Sequence, residues 1–74
     1  MERYELILTA SPGALAHVVA LVTGRRWRLG GLQFSVSETS DRRSLVLDLD
    51  SSGRGEQVES QLAKLYDVLA VTRL

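Results

Sequence analysis

Apolar residues in this chain recur at every second position, then at helical spacing, then at every second position twice more. They return to helical spacing once again and finish in a β-branched apolar run. A strand with one buried face shows the first period, and a helix with one buried stripe shows the second. In residues 3–10, Tyr4, Leu6, Leu8 and Ala10 share one face, and Glu5, Ile7 and Thr9 share the other. Ser11 offers a hydroxyl cap and Pro12 a preset φ at the first helical position. From Ala14 a helix is predicted, with Leu15, Val18, Val19, Val22 and the stem of Arg26 on its apolar stripe and Leu21 beside it. Arg25 and Arg26 suit its end, where the backbone dipole favours cations.

The second half repeats the scheme. A strand within residues 27–38 places Leu32, Phe34 and Val36 on one face, with Gly30 and Gly31 near its start. Glycine inside a strand marks a bulge or a close approach by another backbone or a ligand. Residues 39–43 form a short polar hairpin loop, and residues 44–50 alternate Leu45, Leu47 and Leu49 inward against Val46, Asp48 and Asp50. The Ser51-Ser52-Gly53 break is followed by the helical stripe Val58, Leu62 and Leu65, and residues 66–74 close the chain as a strand with Val68, Leu69 and Val71. The order is β-α-β-β-α-β. Right-handed crossovers then put both helices on one face of a four-stranded antiparallel sheet, an α+β ferredoxin-like βαββαβ sandwich. Its other sheet face and its edge strands stay open unless a second copy or a partner meets them. The apolar Ile7, Val46 and Val68 mark surface expected to be covered.

At 74 residues the chain is expected to be one domain, residues 1–74, with a core that is marginal alone and favours oligomerisation. It has no cysteine and one histidine, His17, so disulfides, thiolate metal sites and a self-contained zinc site are excluded. No metal or cofactor is expected. Nine Lys+Arg balance nine Asp+Glu, whereas a nucleic-acid binder carries a basic excess. No apolar run approaches a membrane span and no leader pattern opens the chain. A soluble, cytoplasmic chain is expected, with neither nucleic acid nor membrane as partner.

Little in the sequence supports catalysis. Asp48 and Asp50 share a strand face, as a metal-binding or acid–base pair would, but two such acids beside a loop more often form a solvated face guarding an edge. His17 falls near the margin of the first helix's stripe, where a lone histidine usually covers a core edge or an interface. Arg25-Arg26 and Arg42-Arg43 are isolated pairs, and Tyr4, Trp27, Phe34 and Tyr66 read as packing residues rather than stacking platforms. Neither the aromatic signature of the RNA-binding sheet nor a Cys-x-x-Cys is present. The turn "TASPGAL" has more to offer. A helix N-terminus exposes backbone N–H groups suited to a carboxylate, and Gly13 omits a side chain where a ligand would approach. The same residues also serve as an ordinary helix start.

Three stretches carry a family resemblance. "PGALAHVVALVTGRRW" (residues 12–27), "LGGLQFSVSETSD" (29–41) and "QLAKLYDVLAVTRL" (61–74) resemble the ACT domain, a small ligand-binding module of amino-acid metabolism. In particular they resemble the small regulatory subunits of acetolactate synthase. The first matches that group's Gly-x-Leu, His-Val and Arg-Arg helix, with Val22 where phenylalanine is usual. The last matches its Gln-Leu-x-Lys-Leu-x-Asp-Val ending, which ferredoxin-like folding does not itself demand.

The resemblance implies a non-catalytic subunit that binds and activates the thiamine-diphosphate-dependent large subunit of acetolactate synthase, in branched-chain amino acid biosynthesis. It implies a homodimer formed through sheet edges. It further implies an effector site, for a branched-chain amino acid, between the first β-α turn of one chain and the start of the second strand of its neighbour. The corresponding residues are Ala10, Ser11, Gly13, Ala14 and Leu15, and Arg28, Leu29 and Gly30. Sensitive members that look similar carry asparagine where this chain has Ala10 and Arg28, so the resemblance is to the short, valine-insensitive type. An ACT domain that senses an amino acid for another enzyme or a transcription factor is the alternative it leaves open, and a dimerisation module from a longer chain is a third.

Overall fold

The computed structural model describes residues 1–25 and 27–74; the expectations placed on Arg26 lie outside the described residues. The elements are β1 (Glu2–Leu8), α1 (Ala14–Gly24), β2 (Arg28–Val36), β3 (Arg43–Asp50), α2 (Gly55–Ala63) and β4 (Val68–Arg73). The sheet order is β2-β3-β1-β4, with every neighbouring pair antiparallel. This is the ferredoxin-like sandwich that the alternating periods predict.

Its core is built from facing rows. Tyr4 pairs with Leu47 and Leu6 with Leu45 across β1 and β3, and with Leu8 and Leu49 they are at most 1% exposed. Ala14, Val18 and Val22 of α1 and Val58 and Leu62 of α2 close over them in the same cluster, so both helices cover one face. The Tyr4 hydroxyl is buried there without a hydrogen-bond partner among the described residues, and burial pushes the phenol above its ordinary pKa. Two boundaries and one burial assignment differ from the periodic reading. β1 stops at Leu8, leaving Ala10 in an exposed bend. Leu65 lies beyond α2, half-buried against the core. Val68 belongs to the core rather than to the open face. Arg25 sits at the end of α1 as expected, as its C-cap, and reaches across to donate to Gln61 Oε1 at 3.1 Å.

Edge strand β2 departs most from expectation. Register places Leu29, Leu32 and Phe34 in line with Leu49, Leu47 and Leu45, on the helix side of the sheet. Yet Leu29, Leu32, Phe34 and Val36 are 39%, 41%, 39% and 58% exposed. The cause is position: β2 is an outer strand, α1 touches it sparingly, and α2 packs along β4 at the opposite edge. The bulge expected from the glycines is present, as a register shift between Leu29 and Gly31. A Cβ on Gly30 would lie 2.7 Å from Met1 Cε, and one on Gly31 would lie 3.0 Å from Asp48 Oδ2.

The entry to α2 is fixed by Ser51, a buried polar residue. Its hydroxyl donates to Glu2 Oε1 and accepts the Arg54 N–H at 3.2 Å, while Ser52 and Gly53 turn the chain at φ 56° and 84°. The Ser51 hydroxyl is the main influence holding the Glu2 carboxyl below its ordinary pKa. A depressed carboxyl stabilises the fold above its unfolded-state pKa, and that contribution is lost as pH falls through the folded-state value. Glu2→Gln should therefore lower stability at neutral pH and flatten the acid limb of the stability–pH curve. Urea melts at several pH values check this, and a constant gap between the two proteins down to strongly acidic pH would refute it.

Candidate functional site

The first β-α turn closes on backbone groups. The Thr9 N–H donates to the Asp67 carbonyl at 2.9 Å and the Ala14 N–H to the Ser11 carbonyl at 3.1 Å. The Ser11 N–H donates to Thr9 Oγ1 at 3.3 Å. The expected Ser-Pro helix start is not what forms. Gly13 is the N-cap, with φ −92° and ψ −2°, no side chain among the described residues caps the start of α1, and Pro12 precedes the helix. Ser11 contributes its carbonyl, while Thr9 supplies the hydroxyl. Ala10 and Ser11 are exposed, Gly13 and Leu15 half-buried, and Ala14 buried.

Behind this turn lies a polar cluster. His17 Nδ1 meets Asp67 Oδ2 at 2.5 Å, and Asp67 Oδ1 accepts the Thr9 hydroxyl at 3.3 Å. Asp67 is 2% exposed, so its carboxylate is taken out of water and needs these partners. The imidazole lies against Gly13, where a Cβ would sit 3.3 Å from Cε1. The room that Gly13 leaves is thus occupied by His17 rather than left open to a ligand. Sequence reasoning gave His17 a place at the core margin and gave Asp67 no role. The signal available was the Lys-Leu-x-Asp-Val motif, which the fold alone does not require.

Arg28, Leu29 and Gly30 open β2 and are exposed. β1 and β2 both run antiparallel to β3, hence parallel to each other. Leu8, at the end of β1, aligns through Arg43 with Val36, whereas Arg28 aligns with Asp50. At about 3.3 Å per residue, the two groups of candidate residues are separated by about 23 Å along the sheet. A single chain does not bring them together.

The remaining candidates resolve into local pairs. Asp48 accepts from Arg3 Nε at 2.7 Å on the open face, which raises the Arg3 pKa. β3 is a central strand, so Asp48 and Asp50 do not guard an edge. Asp50 Oδ1 instead accepts the Ser52 N–H at 3.1 Å. Arg43 braces its own loop through the Ser40 and Arg42 carbonyls. Tyr66, expected to pack, is 94% exposed. Among the described residues no group of three His, Cys, Asp or Glu is placed to hold a metal, and no helix is long and apolar enough to cross a membrane.

Element order and sheet order together define a small α+β domain of the ferredoxin-like class. A family model for the ACT domain matches residues 10–71, and the chain belongs to that family. It is 33% identical over 69 residues to the acetolactate synthase isozyme 1 small subunit of Escherichia coli (strain K12), across 93% of this chain and 72% of that protein. The acetolactate synthase small subunit from Thermotoga maritima is similar in structure, with a TM-score of 0.87 and 26% identity, over 97% of this chain. This chain spans 45% of that protein's length. The ACT domain from the GTP pyrophosphokinase of Chlorobium tepidum shares the fold alone, with a TM-score of 0.81 at 11% identity.

Proposed function

We propose that the chain acts in the cytoplasm as a single ACT domain, a non-catalytic regulatory subunit that binds and activates an acetolactate synthase large subunit. Two copies pair through β2. A two-fold axis between identical strands makes them antiparallel, so the start of one β2 comes beside the end of the other. That places Arg28, Leu29 and Gly30 of one copy at the same end of the sheet as the other copy's Ala10–Leu15 turn. The observation that carries this reading is the split site together with the exposed apolar row on β2: a second copy answers both. The large subunit then meets the open sheet face. A trough there of about 340 Å³ is lined by Ile7, Ser35, Arg42 and Ser44, among others.

Ala10 has no amide to hydrogen-bond an amino-acid effector, and Arg28 puts a long cation where relatives with a working pocket carry a short amide. Valine feedback is therefore weak or absent. The test is co-purification with a cognate large subunit and assay with and without valine, leucine and isoleucine, alongside calorimetry. The subunit alone should show no synthase activity, its addition should raise turnover, and none of the three amino acids should bind saturably. A large subunit indifferent to it removes the proposal; tight binding of any one amino acid removes the insensitivity.

A further inference from the structure

The Asp67–His17–Thr9 cluster has a feature that packing alone does not require: a carboxylate buried between two connections that are distant in sequence. Asp67 belongs to the α2–β4 connection, and Thr9 to the β1–α1 turn. Its backbone carbonyl takes the Thr9 N–H at 2.9 Å. Its two carboxylate oxygens take the Thr9 hydroxyl at 3.3 Å and His17 Nδ1 at 2.5 Å. A carboxylate only accepts hydrogen bonds, so Nδ1 carries the proton and the contact is of the stronger, charge-assisted kind. The Thr9 hydroxyl then accepts the Ser11 N–H at 3.3 Å. The chain of bonds thus runs from a buried acid into the turn itself. The His17 ring, one helical turn along α1, closes the other side by lying against Gly13. Asp67 is 3% exposed at its side chain and His17 62%. The acid is the fixed end and the imidazole the outer clasp.

We infer that Asp67 and His17 are a positioning pair that fixes the β1–α1 turn by stapling it to the α2–β4 connection. This rests on reading that turn as the effector position, but the staple is testable without any effector. The pair accounts for two sequence features that neither the core nor the split site uses: the His of the His-Val on α1 and the Asp of Lys-Leu-x-Asp-Val. It also gives Gly13 its reason, since a side chain there would press on the imidazole.

The test is amide hydrogen exchange by NMR on the whole chain. Asp67→Asn and His17→Ala should each speed exchange at the Thr9, Ser11 and Ala14 amides by about tenfold or more, the scale of a lost charge-assisted bond. The Leu6 and Leu47 amides, within the β1–β3 ladder, should hardly change. Because the residues act as a unit, the double variant should exchange no faster at the turn than Asp67→Asn alone. His17→Asn, whose amide offers a donor near the Nδ1 position, should restore most of the protection. Turn amides that move only in step with Leu6 and Leu47, or single effects that add, overturn the staple. If Asp67→Asn unfolds the chain, the comparison of His17→Ala with His17→Asn decides alone. Activation of a large subunit by the unaltered chain is measured in parallel. Its absence removes the functional reading and leaves the staple standing, while activation with unmoved exchange removes the staple only.

Discussion

Phe34→Glu should convert the proposed β2–β2 dimer to monomer without unfolding the chain. Phe34 is on the helix side of β2, in line with the buried Leu45, yet it is 39% exposed in the single chain. A charge at that position stays in contact with water in the monomer and costs the fold little. In a β2–β2 dimer the same carboxylate is carried into the apolar row of Leu29, Leu32, Phe34 and Val36, at a cost of several kcal/mol. Each 1.4 kcal/mol is about tenfold in affinity, so the dimer dissociation constant should rise at least about a hundredfold. Sedimentation over a concentration series reads this directly, with circular dichroism to check the fold. Tyr66→Glu is the control: Tyr66 is 94% exposed and lies away from β2, so its variant should dimerise as the parent does. A Phe34→Glu protein that dimerises unchanged, or a Tyr66→Glu protein that dissociates, would place the contact elsewhere.

The same strand shows where sequence reasoning reaches its limit. Alternation identifies the side of a sheet that a residue faces, and it did so correctly for Leu32, Phe34 and Val36. It does not tell how far the helices extend across that side. Leu47 and Leu32 are register partners on one face, and only the central one is buried, because burial depends on the strand's place in the order β2-β3-β1-β4. The glycines were legible for a local reason, since a bulge needs backbone approach that a Cβ obstructs. The helix start was misread because Ser-Pro matches the usual cap chemistry. Here the Ser11 N–H is already met by the Thr9 hydroxyl, and the turn extends to Gly13 before α1 begins.

Of the candidate effector residues, Ser11 and Gly13 stood out through helix-start chemistry and Gly30 through its place in a strand. Ala10, Arg28 and Leu29 entered only through resemblance, and the two groups lie at opposite ends of the sheet. His17 and Asp67 are fifty positions apart, and no local pattern pairs them. What sequence did offer was an acid inside an apolar run, Leu65-Tyr66-Asp67-Val68. A buried acid demands partners, and asking which donors the fold brings to that end would have led to Thr9 and His17.

Leu47→Ala should bring the largest loss of stability and tie what remains to protein concentration. Leu47 is 1% exposed on central strand β3, flanked by Tyr4 on β1 and Leu32 on β2. Removing a buried leucine side chain costs about 2–5 kcal/mol, the upper part of the range applying where the surroundings cannot collapse. Two ladders hold β3 in place, so little relaxation is available here. A chain of this length has about 4–11 kcal/mol in all, and the substitution removes a large part of it. With a urea slope near 1 kcal/mol/M for so small a domain, the midpoint should fall by about 2 M or more at unchanged slope. Val46→Ala, half-buried on the open face of the same strand, should shift it far less. The proposed association through β2 would bind the folded form alone, so mass action should raise the Leu47→Ala midpoint as protein concentration rises. Adding Phe34→Glu should abolish that rise. A midpoint independent of concentration in the parent and both variants would separate folding from pairing, and would leave the exposed row on β2 without the role assigned to it.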